Sequence, residues 1–357
     1  MRRGLMGWDP AELPKRTLDD RVSRLQAAMK RSTLDAFLLY TNLVRPSAVC
    51  WLTGFTPYWI ESILLVPANG APILATALSK RVSEWIRATS QVDEIINTPK
   101  PGTAIGQRLA ADGAKRVGVL ELDALPAGLH DDLVSAAPNA ELIDATALFA
   151  VERRVVDEPE RKLILRADAL ALAALDQVNA AEVKDAGALA GLVERHARLG
   201  GAEEAYIAIA PDLAADRRLI RISKPVPLAE RFAVRASIAY KGCWVRRTRT
   251  FAKDDVGQRA TARADHWLNQ FTRSIAADKP LASQIVAQSK NFPRAELKSW
   301  MAEMCVGSYP LEAVASSSLP GEDIATDGSF VVLSLDLTVD GVPWLGAAPA
   351  FVGGRSL

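Results

Sequence analysis

The order of its apolar runs constrains this chain most. Through residues 1–150 short strand-like runs alternate with helix-like periods, and beyond them a pair of helices precedes longer strand-like runs. Leu18, Val22, Leu25 and Met29 recur at helical spacing, with Asp19 and Asp20 placed near the expected start, where carboxylates suit the helix dipole. Asp35 to Tyr40, Ser62 to Val66, Val117 to Leu120 and Ala140 to Asp144 are short apolar runs of strand type. Pro67-Ala68-Asn69-Gly70 is turn chemistry that returns the chain into Pro72 to Ala75 as a hairpin partner. Arg81 to Ala88 and Pro126 to Ala136 are expected as helices. Alternation of this kind implies an α/β layer.

A boundary is expected near Ala147 to Glu158, giving one domain over residues 1–150 and a second over 151–357. The second begins with expected helices from Glu160 to Ala181 and from Ala186 to Leu199, the latter stopped by Gly200-Gly201. Strands are expected at Ala205 to Ala210, Phe232 to Tyr240, Cys243 to Phe251 and Phe330 to Val339, with a short strand in the tail. Further helices are expected at Ala262 to Ala276 and Arg294 to Met304. Helices packed on one face of an antiparallel sheet make this half α+β.

Composition works by exclusion. A formal net charge of +1 provides no global pull toward nucleic acid or an anionic membrane. No run of about 18 apolar residues is present to span a bilayer. The opening Met1-Arg2-Arg3 leads into Trp8, Asp9, Pro10 and Glu12 instead of the apolar stretch of a signal peptide. Cys50, Cys243 and Cys305 are too few and too scattered for a disulfide framework or a zinc knuckle, and a reducing cytoplasm is the expected location.

The segment Phe232 to Tyr240 carries the most information about a site. Strand side chains alternate between faces, so Phe232, Val234, Ile238 and Tyr240 share one face and Ala233, Arg235, Ser237 and Ala239 the other. A lone guanidinium among small residues points to a cavity, because a buried charge must be paired or solvated. The plainer alternative is an edge strand with Arg235 in solvent. In the last long strand Ser334 and Asp336 point together, and their plainer role is a solvated sheet face. Between these strands, Arg246, Thr248 and Thr250 share a face, with Arg247 and Arg249 opposite.

Several stretches resemble one family in order along the chain. Trp51-Leu52-Thr53-Gly54-Phe55 resembles a "YLTGF" segment of the creatinase-type N-terminal domain. Leu148 to Arg166 resembles the start of the pita-bread domain of the creatinase, aminopeptidase P and prolidase group. Lys241-Gly242-Cys243 through Thr248-Arg249-Thr250-Phe251 resembles that group's "GY..D.TRTF", and Val306 to Glu312 is similar to its "GHGIGLE". The resemblance implies an α/β creatinase-like N-terminal domain followed by an α+β pita-bread domain. In metallopeptidases of this fold two Asp, one His and two Glu hold two metal ions. Here the two Asp positions fall on Arg235 and Arg246, and the His on Gly307 with Ser308 after it. The first Glu falls on Ser334, and the last near Leu345 or Gly346. A second family His falls on Val314. Creatinase itself works without metal, and its catalytic His falls on Arg218, a residue whose pKa above 12 disqualifies it as a neutral-pH proton shuttle. His130, His196 and His266 match none of these positions.

Guanidinium groups repel divalent metals and bind carboxylate or phosphate bidentately. The expectation is therefore a degenerate member with no metal and no cofactor, binding a small anionic ligand through Arg218, Arg235, Arg246, Ser308 and Ser334. A metal-free hydrolase or lyase acting on a small C–N compound is the alternative, with Cys243 as candidate nucleophile and Tyr240, Glu312 and Asp336 as candidate acids or bases. The plainer reading of Cys243 is a half-buried strand cysteine. A third reading is a dimeric scaffold or regulatory pseudoenzyme. The resemblance implies a homodimer, for which Trp8, Trp51, Trp59 and Trp85 are compatible interface aromatics, though core packing is the more frequent fate of tryptophan.

Overall fold

The computed structural model describes residues 8–57, 60–222, 224–318 and 325–353. The chain forms two compact units. The first comprises residues up to Pro159 together with Cys305–Glu312, and the second Glu160–Met304 together with Ala313 onward. Among the described residues no helix is long and apolar enough to cross a membrane.

The first unit runs α1 (Lys15–Arg31), β1 (Ala36–Thr41), α2 (Ser47–Thr53), β2 (Ser62–Pro67), β3 (Ile73–Thr76), α3 (Ser83–Thr89), β4 (Glu94–Asn97), α4 (Pro101–Ala111), β5 (Arg116–Val119), α5 (Ala127–Ala136), β6 (Glu141–Asp144) and α6 (Thr146–Arg154). Its six strands lie in the order β4-β3-β2-β1-β5-β6, mixing parallel and antiparallel pairs. β1 is buried along its length because both faces are covered. Phe37 and Leu39 enter a core with Leu25, Met29, Trp51 and Phe149, while Leu38 and Tyr40 enter the opposite one with Ile105, Leu109 and Leu133. α1 begins earlier than the apolar spacing implied, so no acidic residue lies in its first turn, and Asp19 instead pairs with Lys15 one turn back.

Trp51 is a core residue. Only 4% of it is exposed, its ring meets Phe149 edge-on at 5.7 Å, and the guanidiniums of Arg21, Arg24 and Arg153 lie 5.1–5.6 Å from its centre. Trp8 is half-buried with its indole N–H donated to the Leu13 carbonyl, and Trp85 packs against the same core as Trp51. Trp59 lies outside the described residues.

The second unit contains α7 (Glu158–Leu175), α8 (Ala186–Leu199), β7 (Glu204–Ala210), β8 (Arg231–Tyr240), β9 (Cys243–Ala252), α9 (Asp255–Arg273), α10 (Leu281–Lys290), β10 (Ala295–Met304), β11 (Glu312–Ser316), β12 (Phe330–Val339) and β13 (Val342–Phe351). Its seven strands lie in the order β11-β10-β12-β13-β9-β8-β7, antiparallel from β10 to β7. Phe232, Val234, Ala236 and Ile238 of β8 share a core with Leu170, Ala174, Leu189 and Val193 of α7 and α8. On the same sheet face Arg247 makes a two-pronged ion pair with Asp168 of α7, at 2.6 and 2.7 Å, and Arg249 reaches Asp176. Sequence expected a helix at Arg294 to Met304, but Ala295–Met304 is a strand between β11 and β12. Its residues favour helix individually, and the two flanking strands override that preference.

α9 covers β13 and β9, and Asp265 of α9 accepts the indole N–H of Trp344 at 3.0 Å. Burial pushes the Asp265 carboxyl up to about 6, against the Trp344 hydrogen bond and Arg249. A carboxyl raised in the folded state holds its proton there at a pH where the unfolded chain has released it. The stability it adds is present below about pH 4 and is lost as pH rises through about 6. Urea unfolding between pH 4 and 7 is expected to show this falling component, and Asp265→Asn to remove it.

Candidate functional site

The face of the second sheet turned away from α7 and α8 carries the site. Strand register pairs Ser334 with Ala347, Ala347 with Thr248, and Thr248 with Arg235, so four strands place these residues in one row. One step along, Ser237 pairs with Arg246. Arg246 donates from Nε to Ser237 Oγ at 3.2 Å and from Nη1 to Glu303 Oε1. Glu303 is 4% exposed, and its other carboxylate oxygen has no hydrogen-bond partner among the described residues. The β13–β9 edge of the row is closed by Thr250, whose hydroxyl bonds both the N–H and the carbonyl of Leu345.

Arg235 is the unusual member. Among the described residues it has neither a hydrogen bond nor an ion pair. Burial lowers its pKa, the neighbouring Arg246 lowers it further, and Glu303 opposes both. Its guanidinium borders a cavity of about 340 Å³, lined also by Thr248, Ser334, Asp336 and Arg217. Ser299, Ser316, Ser317 and Ser318 add hydroxyls to the wall. Arg217 is neutralised by Asp336 and donates to Thr338 Oγ1 at 3.1 Å. Burial raises the Asp336 pKa against that Arg217 contact.

These residues do not suit a metal. Among the described residues no group of three or more His, Cys, Asp or Glu is arranged to hold one. The row itself contributes a serine, an alanine, a threonine and an arginine, and its one step of neighbours adds another arginine. Divalent ions need anionic oxygens or imidazole, and the two carboxylates beside the row, Glu303 and Asp336, are each already paired with an arginine.

Comparison with known proteins places the architecture. Residues 21–155 match the Creatinase/Prolidase N-terminal domain family. The chain superposes on the Xaa-Pro dipeptidase of Bacillus anthracis with a TM-score of 0.74 at 17% identity, covering 95% of this chain and 96% of that one. The chain carries a creatinase/prolidase-type N-terminal domain and shares its fold with this dipeptidase. A prolidase from Pyrococcus horikoshii matches with a TM-score of 0.71 at 16% identity, covering 94% of this chain and 96% of that one. The N-terminal domain of the FACT complex subunit SPT16 from chickpea, Cicer arietinum, matches with a TM-score of 0.65 at 14% identity, covering 96% and 95%. A search of curated proteins returned no match. The architecture therefore occurs both in dipeptidases and in a subunit of the FACT complex.

Within the second unit the structure brings together Arg235, Arg246, Ser334 and Asp336, whereas Arg218, Cys243 and Tyr240 stand apart from them, and Ser308 and Glu312 belong to the first unit. Arg218 is 83% exposed at its side chain and forks onto Asp216, holding that carboxyl down at about 2. The cavity is lined by the adjacent Arg217 instead, next to Leu219, which packs against Leu213 and Leu345. Ser308 folds with the first unit, where its N–H donates to Glu121 and its carbonyl accepts from Ser47. A Cβ at Gly307 would lie 2.5–2.6 Å from the carboxylates of Glu121 and Glu312, so a larger residue there would push those two side chains aside. Glu312 accepts the Tyr309 N–H in the same cluster, and burial, then Glu121, raises its pKa. Cys243 and Tyr240 face each other across a two-residue turn, Lys241-Gly242, where both φ are positive. Strand alternation puts both on the helix side of the sheet, with the Tyr240 ring beneath Arg166 of α7. Arg217 and Glu303 escaped sequence reasoning. The signal for Arg217 was the apolar Leu219 two residues on, which orients 217 and 219 alike and sends Arg218 the other way.

Proposed function

We propose that this prolidase-fold chain binds a small anionic ligand in the Arg235 cavity and does not act as a dinuclear metallopeptidase. The carrying observation is that Arg235, a permanent cation partly withdrawn from solvent, makes no hydrogen bond or ion pair among the described residues, and that the anion nearest to it in effect, Glu303, is already engaged by Arg246, as Asp336 is by Arg217. A half-buried guanidinium without a partner is costly unless something anionic visits it. Two further features support the reading: the surrounding hydroxyls, and the lack of metal donors in the row. The hydrolase or lyase alternative has less support, because Cys243 and Tyr240 lie on the opposite face of the sheet from Arg235. A homodimer and a cytoplasmic location complete the proposal; a monomer by light scattering counts against the first.

Thermal denaturation with millimolar carboxylates and phosphate tests the reading. A ligand at a hundred times its Kd adds about 2.7 kcal/mol, a rise of roughly 5–10 °C for a unit of this size. Manganese, cobalt or zinc ions are expected to raise the melting temperature by nothing and to support no cleavage of Xaa-Pro dipeptides. Metal-dependent stabilisation with turnover would overturn the proposal.

A further inference from the structure

The cavity wall specifies its occupant more narrowly than by sign. Three guanidiniums stand in or beside it, and two are already neutralised, Arg217 by Asp336 and Arg246 by Glu303. One positive charge remains, on Arg235. A dianion bound there would carry a second charge into a partly dry site with no partner, which is unfavourable. The rest of the polar wall is uncharged hydroxyl. Ser299, Ser317, Ser318, Ser334 and Thr248 line it, and the Ser334 hydroxyl has no hydrogen-bond partner among the described residues. Hydroxyls both donate and accept, so they match ligand hydroxyls better than further anionic oxygens. The cavity, about 340 Å³, has room for a small organic anion.

Building on the anion-binding reading above, we propose that the ligand is a small hydroxylated monocarboxylate, its carboxylate forked onto Arg235 and its hydroxyls read by the Ser334 side of the cavity. A bidentate guanidinium–carboxylate pair fixes one end. The serines then select for hydroxyls along the chain, because an analogue without them leaves those polar groups unpaired.

Isothermal titration of the full-length protein near neutral pH, with gluconate, butyrate, succinate and inorganic phosphate as probes, tests this. Gluconate is expected to bind at least about tenfold more tightly than butyrate, and more tightly than succinate or phosphate. Ser334→Ala is expected to weaken gluconate by at least about threefold and leave butyrate unchanged; since the Ser334 hydroxyl holds nothing in the fold, the variant should remain folded. Succinate or phosphate binding as tightly as gluconate overturns the single-charge assignment while the anion-binding reading stands. Butyrate matching gluconate overturns the hydroxyl assignment in the same way. If none of the four binds, both readings fall.

Discussion

Arg235→Gln is expected to raise the melting temperature of the ligand-free protein and to abolish its response to anions. Both effects follow from one arrangement. The Arg235 guanidinium sits partly desolvated beside Arg246, with no hydrogen bond or ion pair of its own among the described residues. An unsatisfied buried polar group costs about 1–3 kcal/mol, and a charged one more. Glutamine keeps most of the length and removes the charge, so the variant gains roughly 2–12 °C for a unit of this size. With the charge gone, the cavity has no net cation, and anion-induced stabilisation disappears. Calorimetric melting with and without a binding carboxylate checks both. Arg235→Lys keeps the charge but loses the fork, and is expected to retain a weakened response. A glutamine variant less stable than the parent, or still stabilised by the anion, would show that Arg235 has a partner and a role other than those assigned to it. Removal of a functional group that stabilises the apo protein is the usual signature of a binding site maintained at the expense of fold stability.

Much of this is legible in the sequence, for identifiable reasons. Alternation along Phe232 to Tyr240 placed Arg235 with Ser237 on a small-residue face, and strand geometry admits no other arrangement once the opposite face is buried by Phe232, Val234 and Ile238. The spacing from Arg235 to Arg246 survived as a contact because an antiparallel hairpin with a two-residue turn pairs 237 with 246 and 235 with 248. Glu303 was lost to a wrong period: Ala295–Met304 is rich in helix formers, and only its place between β11 and β12 makes it a strand. A residue assigned to a surface helix is not sought as the counter-ion of a strand arginine. Counting along a motif points to Arg218 and not Arg217 because a count has no sense of direction, whereas a loop turns one of two adjacent side chains inward and the other out. Ser308 and Glu312 went astray for a third reason, since Cys305–Glu312 folds with residues far earlier in sequence, which no local pattern reports.

Glu303 supplies the other large effect. Glu303→Gln is expected to destabilise the second unit by about 3–5 kcal/mol, the usual consequence of removing one partner of a buried ion pair, and to lower its melting temperature by roughly 6–20 °C. The carboxylate is 4% exposed, it binds Arg246, and it is the anion that offsets Arg246 and Arg235 together. Glutamine preserves shape and hydrogen bonding, so the loss isolates charge. Two interacting guanidiniums are then left without the carboxylate that offsets them. Adding Arg246→Met to Glu303→Gln is expected to restore most of the stability, and the double-mutant cycle gives the pair's coupling directly. The single variant should also be rescued by anions more strongly than the parent, because its cavity lacks two counter-charges where the parent lacks one. A loss below about 1 kcal/mol, with no rescue by either the second substitution or an anion, would mean that water, and not Glu303, solvates the two arginines, and the electrostatic account of the cavity would have to be abandoned.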